Sequence, residues 1–224
     1  MSNVCEYCEK EFKRESTLLV HLCEKKRRWQ ERNDKGVRIG FNAYITFYIY
    51  TQKSTKIKTI MDFIKSPYYN AFVKFGRYCI SINAIKIEMF VKYLINKNKK
   101  LDYWSNDSLY SNFLIGIIKT ENPIDALSRA LKYSMKWAED SNQSSNDILR
   151  LAGANTICHM IISGHISPWV LYSCDSGVTF MGNLTTEQTK IIWYFIEPSG
   201  WSSKFKSFND DVVYIKGRLK KAGW

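Results

Sequence analysis

Four residues near the N-terminus have the types and the spacing to hold a metal ion. Cys5 and Cys8 form a C-x2-C knuckle, His21 follows after twelve intervening residues, and Cys23 lies two positions further on. Thiolate sulfur and imidazole nitrogen are the donors that structural zinc takes, in sets of four. The knuckle places two thiolates on a tight turn at the end of a short hairpin. A helix starting near Ser16 would then aim His21 inward, with Phe12 and Leu18 as the small core between them. So small a core cannot fold a segment alone, and bound metal supplies the folding free energy. In a reducing compartment such crowded cysteines read as ligands, not disulfides. Cys79, Cys158 and Cys174, scattered singly through apolar contexts, read as small buried hydrophobes.

The run C-x2-C-x3-F-x5-L-x2-H resembles the two-cysteine, two-histidine zinc finger. The resemblance implies a ββα unit around Zn2+. In fingers that read DNA, side chains at the helix start contact bases, which here means the region Lys13, Arg14, Glu15, Ser16 and Thr17. The fourth ligand departs from the pattern. The family places it three to five residues past the histidine, where this chain has Lys25, Lys26 and Arg27. Cys23 is the expected substitute, with a water, His159 or His165 as alternatives. On one continuous helix Cys23 would point about 200° away from His21. The helix must therefore break or tighten at His21.

Directly after the finger comes a basic run: Lys25, Lys26, Arg27 and Arg28, then Arg32, Lys35 and Arg38, with Trp29 among them. A helix carried through it would show cations on most faces, which no core can bury. Either these side chains neutralise phosphates, releasing counterions, or the stretch is a solvated linker hinged at Gly36. The whole chain of 224 residues carries a formal charge of +12, from 33 Lys and Arg against 21 Asp and Glu. Such an excess favours polyanions, nucleic acid before anionic membrane. Lys13, Arg14, Lys25, Lys26, Arg27, Arg28, Arg32, Lys35 and Arg38 are the candidate nucleic-acid contacts. DNA is the favoured form, by the finger pattern.

The elements that must position these residues follow from apolar spacing. The expected fold is mainly α: a small ββα-like finger over residues 1–24, a basic linker or helix over 25–38, and a helical domain over 39–224. Phe41, Tyr44, Ile45 and Tyr48 recur at helical period, as do Ile82, Ile85, Met89 and Tyr93. Asn122 and Pro123 read as cap and first residue of a helix through Ala126, Leu127, Ala130, Leu131 and Met135. Further helices are expected from Asn146 to Gly164, Thr186 to Ile196 and Asp210 to Ala222, the last capped by Asp210. The aromatic runs Tyr68 to Tyr78 and Trp169 to Cys174 suggest strands. The run Phe47 to Tyr50, followed by Lys53, Lys56 and Lys58, could stack bases or be core beside a basic surface.

No phosphate-binding Gly loop or Gly-x-Ser-x-Gly elbow is present. Cys158 beside His159 is not an obvious nucleophile and base, and the acidic pairs Asp210-Asp211 and Glu139-Asp140 give a nuclease little to stand on. No catalytic residue is therefore expected. His159 and His165 lack a C-x2-C pair, so a second metal site is not expected. Neither a secretory leader nor a membrane span is evident. The run His21 to Arg28, the stretch Ile166-Ser167-Pro168-Trp169 through Pro198 and Trp201, and the ending Ala222-Gly223-Trp224 are similar to zinc-finger proteins of T-even-type tailed phages. That resemblance implies a phage-encoded accessory or assembly protein, in host cytoplasm or virion, whose partners are nucleic acid or phage structural and replication proteins.

Overall fold

The computed structural model describes residues 3–52 and 57–224. The protein is mainly α, with one two-stranded sheet near its start among the described residues. It divides into two compact units, residues 1–107 and 108–224. The first unit thus joins the finger and basic segments to the opening part of the stretch read from sequence as one helical domain.

In the first unit β1 (Asn3–Val4) pairs antiparallel with β2 (Glu11–Phe12), Asn3 opposite Phe12. Then follow α1 (Glu15–Val20), α2 (Glu24–Gln30), a 3-10 turn at Glu31–Asn33 and α3 (Lys35–Gln52). α4 (Ile60–Lys65), α5 (Tyr69–Ser81) and α6 (Ile87–Asn96) complete the unit, with a 3-10 turn at Leu101–Tyr103. Asp34 starts α3, its Oδ1 accepting from the amides of Gly36 at 2.8 Å and Val37 at 3.1 Å.

Gly36 is no hinge. It is buried within α3, where a Cβ on Gly76 of α5 would lie 2.1 Å from its carbonyl oxygen and 2.7 Å from the amide of Gly40. Small residues at this crossing let two helix backbones touch. Beside them Tyr44, Phe63, Phe72 and Trp104 form an aromatic core, with Trp104 wholly buried and its Nε1 donating to the Lys99 carbonyl at 2.9 Å. The run Tyr68 to Tyr78 is helical, not a strand. Its buried Tyr69, Phe72, Val73 and Gly76 recur at i, i+3, i+4 and i+7, so period outweighs the β preference of aromatics. Phe47 and Tyr48 are half-buried, with Phe47 against Phe72 and Trp104, and Lys58 lies over the Tyr48 ring at 4.6 Å. Lys53 and Lys56 lie outside the described residues.

The second unit runs α7 (Asp107–Thr120), α8 (Pro123–Ser141), a 3-10 turn (Ser145–Asp147), α9 (Ile148–Leu151) and α10 (Ala154–Ile162). It closes with α11 (Pro168–Leu171), α12 (Asp175–Gly182), α13 (Thr186–Ile196), α14 (Pro198–Ser207) and α15 (Asn209–Lys221). Asn122 caps α8, accepting from the amides of Ile124 and Asp125, with Pro123 in the first turn. Thr185 and Gln188 make a reciprocal capping box at α13. The span expected as one helix from Asn146 to Gly164 is broken at Gly153, whose φ of +66° suits a residue without Cβ. Trp169 to Cys174 is not a strand either: Ser167 caps the short α11, whose four residues are all buried, which leaves no periodicity to read. Asp210 lies in the first turn of α15 and makes no side-chain cap bond. Among the described residues no helix is long and apolar enough to cross a membrane.

Candidate metal centre and nucleic-acid interface

The knuckle is a tight turn. The Cys5 amide donates to the Lys10 carbonyl at 3.0 Å, the Glu9 amide donates to the Cys5 carbonyl at 2.8 Å, and Glu9 takes a positive φ of 64°. This directs the sulfurs of Cys5 and Cys8 to one side. α1 stops at Val20, because His21 is extended at ψ 118° and Cys23 at ψ 164°. The break required at His21 is therefore present, and it reverses the direction that a continuous helix would give Cys23. Cys23 becomes the N-cap of α2, its sulfur accepting from the Lys26 amide at 3.3 Å.

These turns bring one donor from each of Cys5, Cys8, His21 and Cys23 within 4.8 Å of one another. Cys5 Sγ is 3.9 Å from Cys23 Sγ, and Cys8 Sγ is 3.3 Å from His21 Nε2. Four donors about 2.0–2.3 Å from a tetrahedral ion stand about 3.4–3.8 Å apart, and these two distances are each within about 0.1 Å of that range. The donor set is three sulfurs and one imidazole, and it could hold a metal ion. Burial opposes ionisation of Cys5, but amide hydrogen bonds from Cys8 and Tyr7 outweigh it and hold the thiol below its ordinary value. At Cys8 the Lys10 amide favours the thiolate, but burial and the neighbouring Cys5 and Cys23 sulfurs prevail and push the thiol up. The Phe12 ring lies 4.7 Å from the His21 imidazole, fixing its plane, and Leu18 is half-buried.

Of the other ligand candidates, His165 is buried and stacks on Tyr133 at 4.3 Å, while His159 is exposed on α10. Neither belongs to a metal-holding cluster among the described residues, nor do Asp210, Asp211, Glu139 or Asp140. Cys158 is buried, and burial pushes its thiol up, away from the thiolate a nucleophile needs.

The basic residues separate into two groups. Arg28 is mostly buried: it pairs with Glu24, lies over the Tyr69 ring at 4.4 Å and donates to the Ile64 carbonyl at 2.9 Å. A core can thus take this cation, because a carboxylate, a ring face and a carbonyl meet it together. Arg32 covers Trp29 at 4.3 Å and donates to its carbonyl, and Lys26 Nζ donates to the His21 carbonyl at 3.2 Å. These three bind the chain to itself. Lys13, Arg14, Arg27, Lys35 and Arg38 are exposed and Lys25 half-buried, with no carboxylate partner among the described residues.

Two roles were missed by reading along the chain. Cys23 as a helix cap has no signal in the usual Ser, Thr, Asp and Asn set. Arg28 clasping α4 has none either, because its partner there, Ile64, lies 36 positions away. Tyr7 of the knuckle, 6.1 Å from Trp29, and the Glu9–Lys65 ion pair at 3.2 Å add further ties between the knuckle and the helices of its unit. No known protein family matches the chain, and neither a curated protein nor a solved structure matches it. Fold and site define a mainly α protein with an N-terminal three-cysteine, one-histidine cluster able to hold a metal ion.

Proposed function

We propose that the chain is a phage-encoded, non-catalytic accessory protein that binds nucleic acid through a zinc finger and the cations around it. Zn2+ is the metal that suits three thiolates and one imidazole in tetrahedral array, and its part is structural. Cys5, Cys8, His21 and Cys23 hold it. The observation carrying the nucleic-acid reading is the set of exposed cations without carboxylate partners among the described residues, Lys13, Arg14, Arg27, Lys35 and Arg38, strung along the chain within and just after the cluster segment. α1 begins at Glu15, so exposed Arg14, Thr17 and Val20 stand at the helix positions that contact successive bases in DNA-reading fingers. Arginine suits guanine, and an apolar side chain suits the thymine methyl. A single finger spans about three base pairs, so phosphate contacts dominate and sequence preference is weak. The phage origin is supported by the resemblance of the head and tail segments and by a Lys, Ile, Asn and Tyr bias suited to an AT-rich genome.

The test is binding of zinc-loaded protein to a labelled duplex at two salt concentrations. The wild type is expected to bind with a steep salt dependence. Neutralising Lys13, Arg14, Arg27, Lys35 and Arg38 should flatten the log–log slope by up to about 4.5, at roughly 0.9 per phosphate. Unchanged binding would sink the reading. A second reading, docking to a phage particle or assembly partner, is favoured by Leu19 and Leu22, which are 72% and 61% exposed on the finger. Such apolar residues fit a protein contact. It predicts retention of a partner with little sensitivity to salt.

A further inference from the structure

The second unit has an open groove of about 520 Å3 between α14, α15 and the residues after α11. Half-buried Tyr172 and Phe205, with the buried Trp201, give it an aromatic lining, and exposed Lys206, Asn209 and Lys216 complete it. The polar handles of two rings are used inward: Trp201 Nε1 donates to the Phe195 carbonyl at 2.6 Å, and the Tyr172 hydroxyl donates to the Ile196 carbonyl. What these rings offer the groove is therefore hydrocarbon, on a rigid support. Phe205, which has no polar handle, is held by stacking on buried Trp169 at 5.0 Å.

The cations differ in their use. Lys204 is half-buried and lies over Trp201 at 4.9 Å, so it is already engaged. Lys206 and Lys216 have no carboxylate partner among the described residues, and the last turn of α15 adds Arg218, Lys220 and Lys221. Asp210 and Asp211 precede this turn but do not line the groove. An acidic peptide would answer the lysines but bring no planar face. A nucleotide brings both a π-face for the rings and phosphates for the ammonium groups, the pairing on which single-strand binding rests.

We infer that this groove is a single-stranded nucleic-acid site, in which a base packs against half-buried Phe205 and Tyr172 while its flanking phosphates meet Lys206 and Lys216. It goes beyond the finger reading and does not rest on it. The experiment uses the zinc-loaded full chain, a fluorescein-labelled dT15 and the variant K206E/K216E. Both lysines are exposed, so the thermal midpoint should not move. Affinity for dT15 should fall at least tenfold, with a salt slope shallower by about 1.4, two phosphates at about 0.7 each. A 5-iodouracil oligonucleotide should photo-crosslink to Tyr172 or Phe205. Unchanged affinity in the variant, equal binding of an abasic chain of the same length, or crosslinks absent from those two residues would each overturn the site. The variant neutralised at Lys13, Arg14, Arg27, Lys35 and Arg38 separates the two proposals: it should lose duplex binding yet keep dT15 binding that depends on Lys206 and Lys216.

Discussion

The first thirty-odd residues and the second unit reach order by opposite routes. Between residues 3 and 33 the one buried apolar side chain is Cys5. The second unit buries Trp169, Ile157, Ile161, Val170, Leu171, Ile192, Ile215 and Leu219 almost completely. Apolar burial at roughly 25 cal/mol per Å2 drives the latter. It has almost nothing to act on in the former, where a metal ion held by the proposed four ligands would supply the folding free energy. Stability should therefore respond to chelators in one region and to core truncation in the other.

The largest effect should come from the ligands. Cys23→Ser and His21→Ala should each weaken zinc binding by more than the roughly 10–100-fold that loss of an outer partner costs, as read by competition with a chromogenic chelator. Equal affinity in C23S would remove Cys23 from the ligand set. Next is Trp169→Ala in the second unit, expected to cost about 3–5 kcal/mol in denaturant unfolding while zinc stoichiometry stays the same. A smaller effect is expected where the two regimes meet. Arg28→Ala removes a charged hydrogen bond and a ring contact and should cost about 2 kcal/mol, whereas exposed Arg27→Ala should stay within about 0.5 kcal/mol. If the two arginines behave alike, Arg28 does not anchor α2 to α4. The smallest effect is at the exposed Glu9–Lys65 pair, where Glu9→Gln should change stability by less than about 1 kcal/mol.

The same contrast governs what could be read along the chain. The candidate ligands were legible because their chemistry is local: Cys5, Cys8 and His21 declare themselves by spacing, and Cys23 by being the donor left. Helices with caps were legible too. Thr186–Ile196 agrees at both ends with expectation, and Asn122-Pro123 opens α8 as expected. The wholly buried α11 was not, since a helix apolar on every side has no period to detect. Nor was the α3–α5 crossing, because Gly36 read as a hinge until Gly76, forty positions away, met it. The charge run misled in one respect. Arg28 belongs to packing, and only its exposed neighbours are free to meet phosphate.

Hydrogen exchange read by mass spectrometry, on the zinc-loaded protein before and after a strong chelator, tests the central claim most directly. A metal-folded head predicts that amide protection across residues 3–23 collapses on chelation while protection across α8, α10, α13 and α15 is unchanged. Protection of residues 3–23 that survives complete removal of zinc would contradict the account, because no apolar core in that segment could sustain it.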